Sequence, residues 1–186
     1  MLLEFRCSNH KSIKDEVLFS MIAGTDDSLQ DELCTVGSLK VLPSAVVYGA
    51  NGSGKSNFLN AIFFMANLVT GSILNQPGQN LRSYPHKLSL DNPCSYSIHF
   101  IRNGIRYAYG FSLDDGIVKE EYLYHFPNGR QTRVFERDDL NVVTGTRFRQ
   151  GLKLGLDALK ENRLFLSCAA NFTNIEEIEN AFLFFS

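Results

Sequence analysis

The chain has 186 residues, 44% of them hydrophobic, which suffices for one sizeable packed domain and excludes a disordered segment. Its 18 basic and 20 acidic residues leave a net charge of −2, so overall charge does not indicate nucleic acid, and any such binding would rest on a local patch. Glu4 and Arg6 stand where a signal peptide needs an apolar core, and the stretch from Phe58 to Leu74 is interrupted by Asn60, Asn67 and Thr70. A cytoplasmic protein with no membrane segment is therefore expected.

In chain order, Leu2 to Cys7 is extended and apolar, Ser8 to Ser12 is polar, and Val17 to Ala23 is a second strand-like run. Gly24 to Val36, with Asp26, Asp27, Asp31 and Glu32, reads as a surface connection holding a short helical turn. The run from Pro43 to Tyr48 is β-branched and compact, as in strands buried on both faces of an α/β sheet, and Gly49 ends it. From Lys55 to Val69, apolar residues at Phe58, Leu59, Ile62, Phe63, Ala66 and Val69 predict a helix with that stripe on a sheet. Asn57, Asn60 and Asn67 mark its polar side.

Beyond a Gly/Pro/Asn-rich stretch from Gly71 to Pro93, period-two alternation sets in at Tyr96, Ile98 and Phe100 and continues through Ile105, Tyr107, Tyr109, Phe111 and Leu113. Turns at Asn103-Gly104, Asp115-Gly116 and Asn128-Gly129 divide residues 94–144 into an antiparallel meander. Leu152, Leu156 and Leu159 predict a short helix ending near Asn162. Leu164 to Ala169 reads as a second buried strand, and Asn174 opens a final helix with Glu176 and Glu177 in its first turn.

Gly49-Ala50-Asn51-Gly52-Ser53-Gly54-Lys55-Ser56 satisfies G-x-x-x-x-G-K-[ST] between a predicted strand and a predicted helix. Glycines let the backbone curl with its N–H groups facing phosphate oxygens, and the helix N-terminus adds unsatisfied donors and a favourable dipole. Lys55 would reach the β- and γ-phosphates, and Ser56 would offer magnesium a hydroxyl. The D-x-x-G and N-K-x-D strings of guanine-specific enzymes are absent.

The loop filling from Asn51 to Asn57 resembles the N-G-[SA]-G-K-[ST]-N form of SMC, RecF and related ABC-type ATPases. The resemblance implies an α/β P-loop NTPase fold of ABC/SMC type, a mixed sheet with an antiparallel β subdomain and few helices. It makes residues 1–173 the N-terminal lobe and residues 174–186 the start of a helical segment leading to a C-terminal lobe. In that family a basic residue in an N-F-[KR]-S turn approaches the phosphates. Here Asn9-His10-Lys11-Ser12 matches with His10 in place of phenylalanine, which implies Lys11 as a phosphate contact, although Lys11 alone also reads as a solvated hairpin lysine.

Arg106 to Leu113, Glu136-Arg137-Asp138 and Glu161 to Ser167 further resemble bacterial AAA-type ATP-binding proteins of the RloA, OLD-like and AbiEii-associated phage-defence group. Relatives carry a glutamine in a segment like A-A-Q-F-N, where this chain has Ala169-Ala170-Asn171-Phe172, so Asn171 is implied as a magnesium contact one methylene shorter.

What the resemblance implies is an ATP and Mg2+ site formed by Gly49, Ala50, Asn51, Gly52, Ser53, Gly54, Lys55, Ser56, Asn57 and Lys11. Lys55 stabilises phosphate charge, and Ser56 and Asn171 serve the metal.

An LSGGQ-like signature, a Walker B run ending in Asp-Glu and a switch histidine are absent, and Phe111 to Asp115 reads as a hairpin end. The expectation is ATP binding here, with hydrolysis completed by residues outside the chain. By resemblance two heads sandwich ATP as a homo-oligomer and control a defence effector, a nuclease or toxin. The alternative is a nucleotide-gated scaffold for a partner nuclease with little turnover; a small-molecule kinase would need a lid and acceptor site that the sequence does not present.

Among the remaining side chains, Tyr107, Tyr109, Tyr122 and Tyr124 lie at strand spacing and read as cross-strand packing rather than base stacking. His10, His86, His99 and His125 lack metal-ligand spacing, and Arg147, Arg149, Lys153 and Lys160 read as a solvated basic face. Cys7, Cys34, Cys94 and Cys168 are scattered without a C-x-x-C pair, as in a chain of reduced thiols.

Overall fold

A computed structural model describes residues 1–26 and 30–186. Asp27, part of the acidic connection, lies outside the described residues. The strands are β1 (Leu2–Ser8), β2 (Val17–Ser20), β3 (Cys34–Val36), β4 (Leu39–Val41), β5 (Cys94–Arg102), β6 (Ile105–Asp114), β7 (Ile117–His125), β8 (Thr132–Asp138) and β9 (Asn141–Thr144). The α-helices are α1 (Lys55–Gly71), α2 (Lys153–Asp157), α3 (Phe165–Phe172) and α4 (Glu176–Phe182).

Seven strands form one sheet in the order β2-β1-β5-β6-β7-β8-β9, and β3 and β4 pair separately. Every strand pairing among the described residues is antiparallel, so the expected mixed sheet is corrected to an antiparallel one. The meander follows from alternation and turn chemistry. Asn103 and Asp115 adopt positive φ before Gly104 and Gly116, as tight hairpin turns require, and set registers such as Ile98 opposite Tyr109.

One face of the sheet carries the core: Phe5, Tyr96, Phe100, Tyr107, Tyr109, Leu123 and Phe135 are buried there against the helices. The opposite face is polar and holds Tyr122, whose ring lies directly over Gly110; a Cβ at Gly110 would stand 2.7 Å from the Tyr122 hydroxyl oxygen. Tyr107 and Tyr109 thus belong to the core, while Tyr124 sits on the outer face and donates to Glu136.

α1 lies across β1 and β5, with Phe58 edge-on to Phe5 at 5.7 Å and Phe64 5.2 Å from Tyr96. Its buried residues are Phe58, Ala61, Met65 and Val69, whereas Leu59 and Phe63 are 50% and 66% exposed. The buried stripe is therefore rotated from the expected one, because a helix apolar on several faces satisfies more than one three- and four-residue pattern. Lys55–Leu74 is long and apolar enough to cross a membrane by length and composition alone.

Two further expectations are corrected. Residues 43–48 form no strand, and Val46 and Tyr48 are 83% and 89% exposed. A strand exists only through its neighbours, and among the described residues no backbone hydrogen bond joins this segment to another. Leu164 to Ala169, read as a strand, lies largely in helix α3. The reason is tertiary: the buried Glu121 carboxylate on β7 accepts the first amides of that helix, from Phe165 at 2.5 Å and Leu166 at 2.9 Å.

Candidate functional site

The loop from Gly49 to Ser56 runs exposed into α1. Gly52 (φ 81) and Gly54 (φ 95) take left-handed conformations open to glycine, and Gly54 is the N-cap of α1. No side chain caps that terminus and its first turn has no acidic residue. The amides of Asn57 and Phe58 both bond the Gly54 carbonyl, leaving those of Lys55 and Ser56 without a backbone acceptor and available to an anion. The Lys55 ammonium folds back on the loop, donating to the carbonyls of Gly49 and Ala50 at 2.7 Å each. Gly49 is closely fitted, since a Cβ there would meet the Ser53 hydroxyl at 3.1 Å.

The turn from Asn9 to Ile13 is brought against this loop. His10 and Ile13 exchange both backbone hydrogen bonds at 2.8 Å, which makes Lys11 and Ser12 the turn residues. The Ser12 hydroxyl accepts from the Asn57 side chain at 2.7 Å and lies 3.2 Å from where a Gly54 Cβ would stand. Lys11 (φ 53) donates its amide to the Tyr84 carbonyl at 2.7 Å, and its ammonium lies 5.2 Å from the Tyr84 ring centroid. Asn9 locks the other side, with its side chain bonded to the Ser89 and Asn92 carbonyls and to the His86 amide.

A cleft of about 590 Å³ opens between this turn, β2 and the loop. Phe19, Phe58, Val47 and Tyr48 supply apolar walls, Ser53, Gly54 and Lys55 form one polar end, and Lys14, Asp15 and Glu16 add charged lining on the side of the turn. Its dimensions and mixed lining suit a nucleotide-sized ligand.

Asn171 is placed elsewhere. It is exposed on α3, its amide donates to the Ser167 carbonyl at 2.8 Å, and Ser167 in turn accepts from the Ile73 amide just beyond the C-terminal end of α1. No contact joins Asn171 to Ser56 among the described residues. Asn51 lies exposed on the loop. Magnesium takes few protein ligands beside phosphate and water, and the exposed Ser56 hydroxyl on the first turn fits that requirement.

The four cysteines are free, and burial raises the Cys7 thiol to about 11 and the Cys168 thiol to about 12, which keeps them protonated and unreactive. Among the described residues no group of three histidine, cysteine or acidic side chains could hold a metal ion.

Lys11, implied as a phosphate contact, does not line this cleft and carries its ammonium over the Tyr84 ring, and sequence reading assigned no role in the site to Ser12, Asn60 or the walls of the cleft. The available signal was the spacing of Asn57 and Asn60, which places two amides on one helical stripe.

A glycine-rich loop running into an uncapped helix on an α/β scaffold defines a nucleotide-binding domain of the AAA, P-loop ATPase-like class. The sequence profile described as "AAA domain, putative AbiEii toxin, Type IV TA system" matches residues 44–177, well over half of the chain, and the chain belongs to that family. No curated protein matches the sequence closely enough to count as a relative. Domains of this family bind nucleotide, generally ATP with Mg2+, and occur in a toxin–antitoxin setting.

Proposed function

We propose that the chain binds ATP with magnesium at the loop from Gly49 to Ser56, as part of an ABC/SMC-type head of the RloA and OLD-like group. The observation that carries this reading is the Lys55 ammonium, held by the Gly49 and Ala50 carbonyls of the loop beside a helix terminus that no side chain caps. Phosphate oxygens replace those carbonyls as its partners, because a charge-assisted contact with an anion is stronger than one with a neutral acceptor. The amides of Lys55 and Ser56 face the same anion, the Lys11 ammonium leaves the Tyr84 ring to reach it from the turn, and the base lies in the cleft beside Phe19, Phe58 and Tyr48. Magnesium, held by Ser56 and phosphate oxygens, neutralises phosphate charge.

Hydrolysis belongs to a larger assembly, since no Walker B or signature segment is present in the sequence. In that assembly, two ATP-bound cytoplasmic heads pair and control a defence effector such as a nuclease or toxin. Calorimetric titration with Mg-ATP tests the site: Lys55→Ala weakens binding about 100-fold, the loss of one or two charge-assisted contacts. Unchanged affinity overturns the reading. Tight ATP-dependent pairing with negligible turnover would favour a scaffold for a partner nuclease.

A further inference from the structure

His10 is fully buried, and both of its ring nitrogens are engaged. Nδ1 is 2.8 Å from the Tyr96 hydroxyl on β5, and Nε2 is 3.1 Å from Asn60 Oδ1 on α1. A carbonyl oxygen only accepts, so Nε2 carries the proton and Nδ1 accepts from Tyr96. The ring is enclosed by Phe64, Tyr84 and Tyr96 at centroid distances of 5.6, 6.2 and 5.6 Å.

This ring stands at the base of the turn whose tip is Lys11 and Ser12. Asn60 lies three residues beyond Asn57, the partner of Ser12, so the turn grips one stripe of α1 at two points. Lys11 is also held in a left-handed conformation, which is unfavourable for an L-residue and persists only where the surroundings enforce it.

We propose that His10 is a positioning residue for the nucleotide site, bridging β5 to α1 so that Lys11 and Ser12 are fixed against the phosphate loop. The inference rests on the reading of that loop as the ATP site. His10 touches no phosphate itself; its effect on binding passes through Lys11.

The test is a thermodynamic cycle of Mg-ATP titrations on the 186-residue chain with His10→Phe, Lys11→Ala and the double variant, beside Lys55→Ala. Phenylalanine keeps the aromatic contacts and removes both hydrogen bonds; glutamine can retain the bond to Asn60. His10→Phe is expected to weaken binding about tenfold in the wild-type background and by less than about twofold in Lys11→Ala, with His10→Gln recovering part of the loss. An equal fold-loss in both backgrounds, no effect of His10→Phe, or no effect of Lys11→Ala overturns the proposal while leaving the site intact. Undiminished binding by Lys55→Ala instead overturns the site reading, and this inference with it. Should His10→Phe fail to fold, His10→Gln is judged by the same non-additivity with Lys11→Ala.

Discussion

The carboxylate of Glu121 on β7 lies 3.4 Å from the guanidinium of Arg137 on β8, and neither side chain is exposed to solvent. Glu121 also accepts from the Tyr109 hydroxyl and from two amides of α3, while Arg137 donates to the carbonyls of Asp139, Lys160 and Arg163. The pair therefore ties two strands to the segment leading into α3. Removing one partner of such a pair strands a buried charge, so Glu121→Ala should cost about 3–5 kcal/mol in urea unfolding.

The pH dependence of that site has a definite sign. Burial, outweighing Arg137 and the amides, pushes the Glu121 carboxyl up from its ordinary range. A raised folded value means its contribution is full at acidic pH and is lost as pH rises through that value. The stability cost of Glu121→Gln should accordingly be smaller at pH 8 than at pH 4, as measured by unfolding midpoints (pH values roughly bracketing the carboxylate range).

The reach of sequence reading ended where elements depend on distant partners. The β5 to β9 meander was legible because alternation and the turns at Asn103-Gly104 and Asp115-Gly116 are local signals. The phosphate loop was legible for the same reason. Helix α3 was not, since its N-terminal acceptor is Glu121, more than forty residues earlier and across the core. Residues 43–48 show the converse: a β-branched run has strand character, but pairing is a property of neighbours, and none reaches Val46 or Tyr48. The polar turn at Lys11 between two strands was legible locally, but its approach to the loop was implied by resemblance alone, because the Asn57 to Ser12 bond that brings the turn there spans residues without any local pattern.

His125 is buried with both ring nitrogens unpartnered, the nearer one 4.0 Å from Glu177. Burial lowers its pKa, with Glu177 opposing and Arg147 reinforcing. Burial likewise lowers His10 and His99. Groups with depressed folded values stabilise above their unfolded pKa, about 6.5 for histidine, and that stability is lost as pH falls below it. His125→Phe should flatten the decline in urea midpoint between about pH 7 and 5, whereas an unchanged slope would assign the decline to other groups.

Gly110 and Tyr122 form a steric lock on the outer sheet face. A Cβ at Gly110 would meet the Tyr122 hydroxyl oxygen at 2.7 Å and two of its ring carbons at 2.8 and 2.9 Å. Gly110→Ala must displace that ring and should destabilise by about 1–3 kcal/mol. Adding Tyr122→Ala should remove most of the extra cost, because the displaced atoms are gone. Additive losses in the double variant would show that backbone strain at position 110, not the ring, sets the cost.

Helix α1 separates two kinds of apolar residue two positions apart. Met65 is fully buried, so Met65→Ala should cost about 2–5 kcal/mol through lost contacts and a residual cavity. Phe63 is 66% exposed, and Phe63→Ala should stay within about 0.5 kcal/mol of wild type. Phe63 and the similarly exposed Leu59 one turn before it present apolar surface on the helix that follows the phosphate loop. If ATP-bound heads pair, Phe63→Glu should leave the urea midpoint unchanged and weaken ATP-dependent self-association in sedimentation experiments. Self-association that is indifferent to Phe63→Glu would place the pairing surface on another side of the domain.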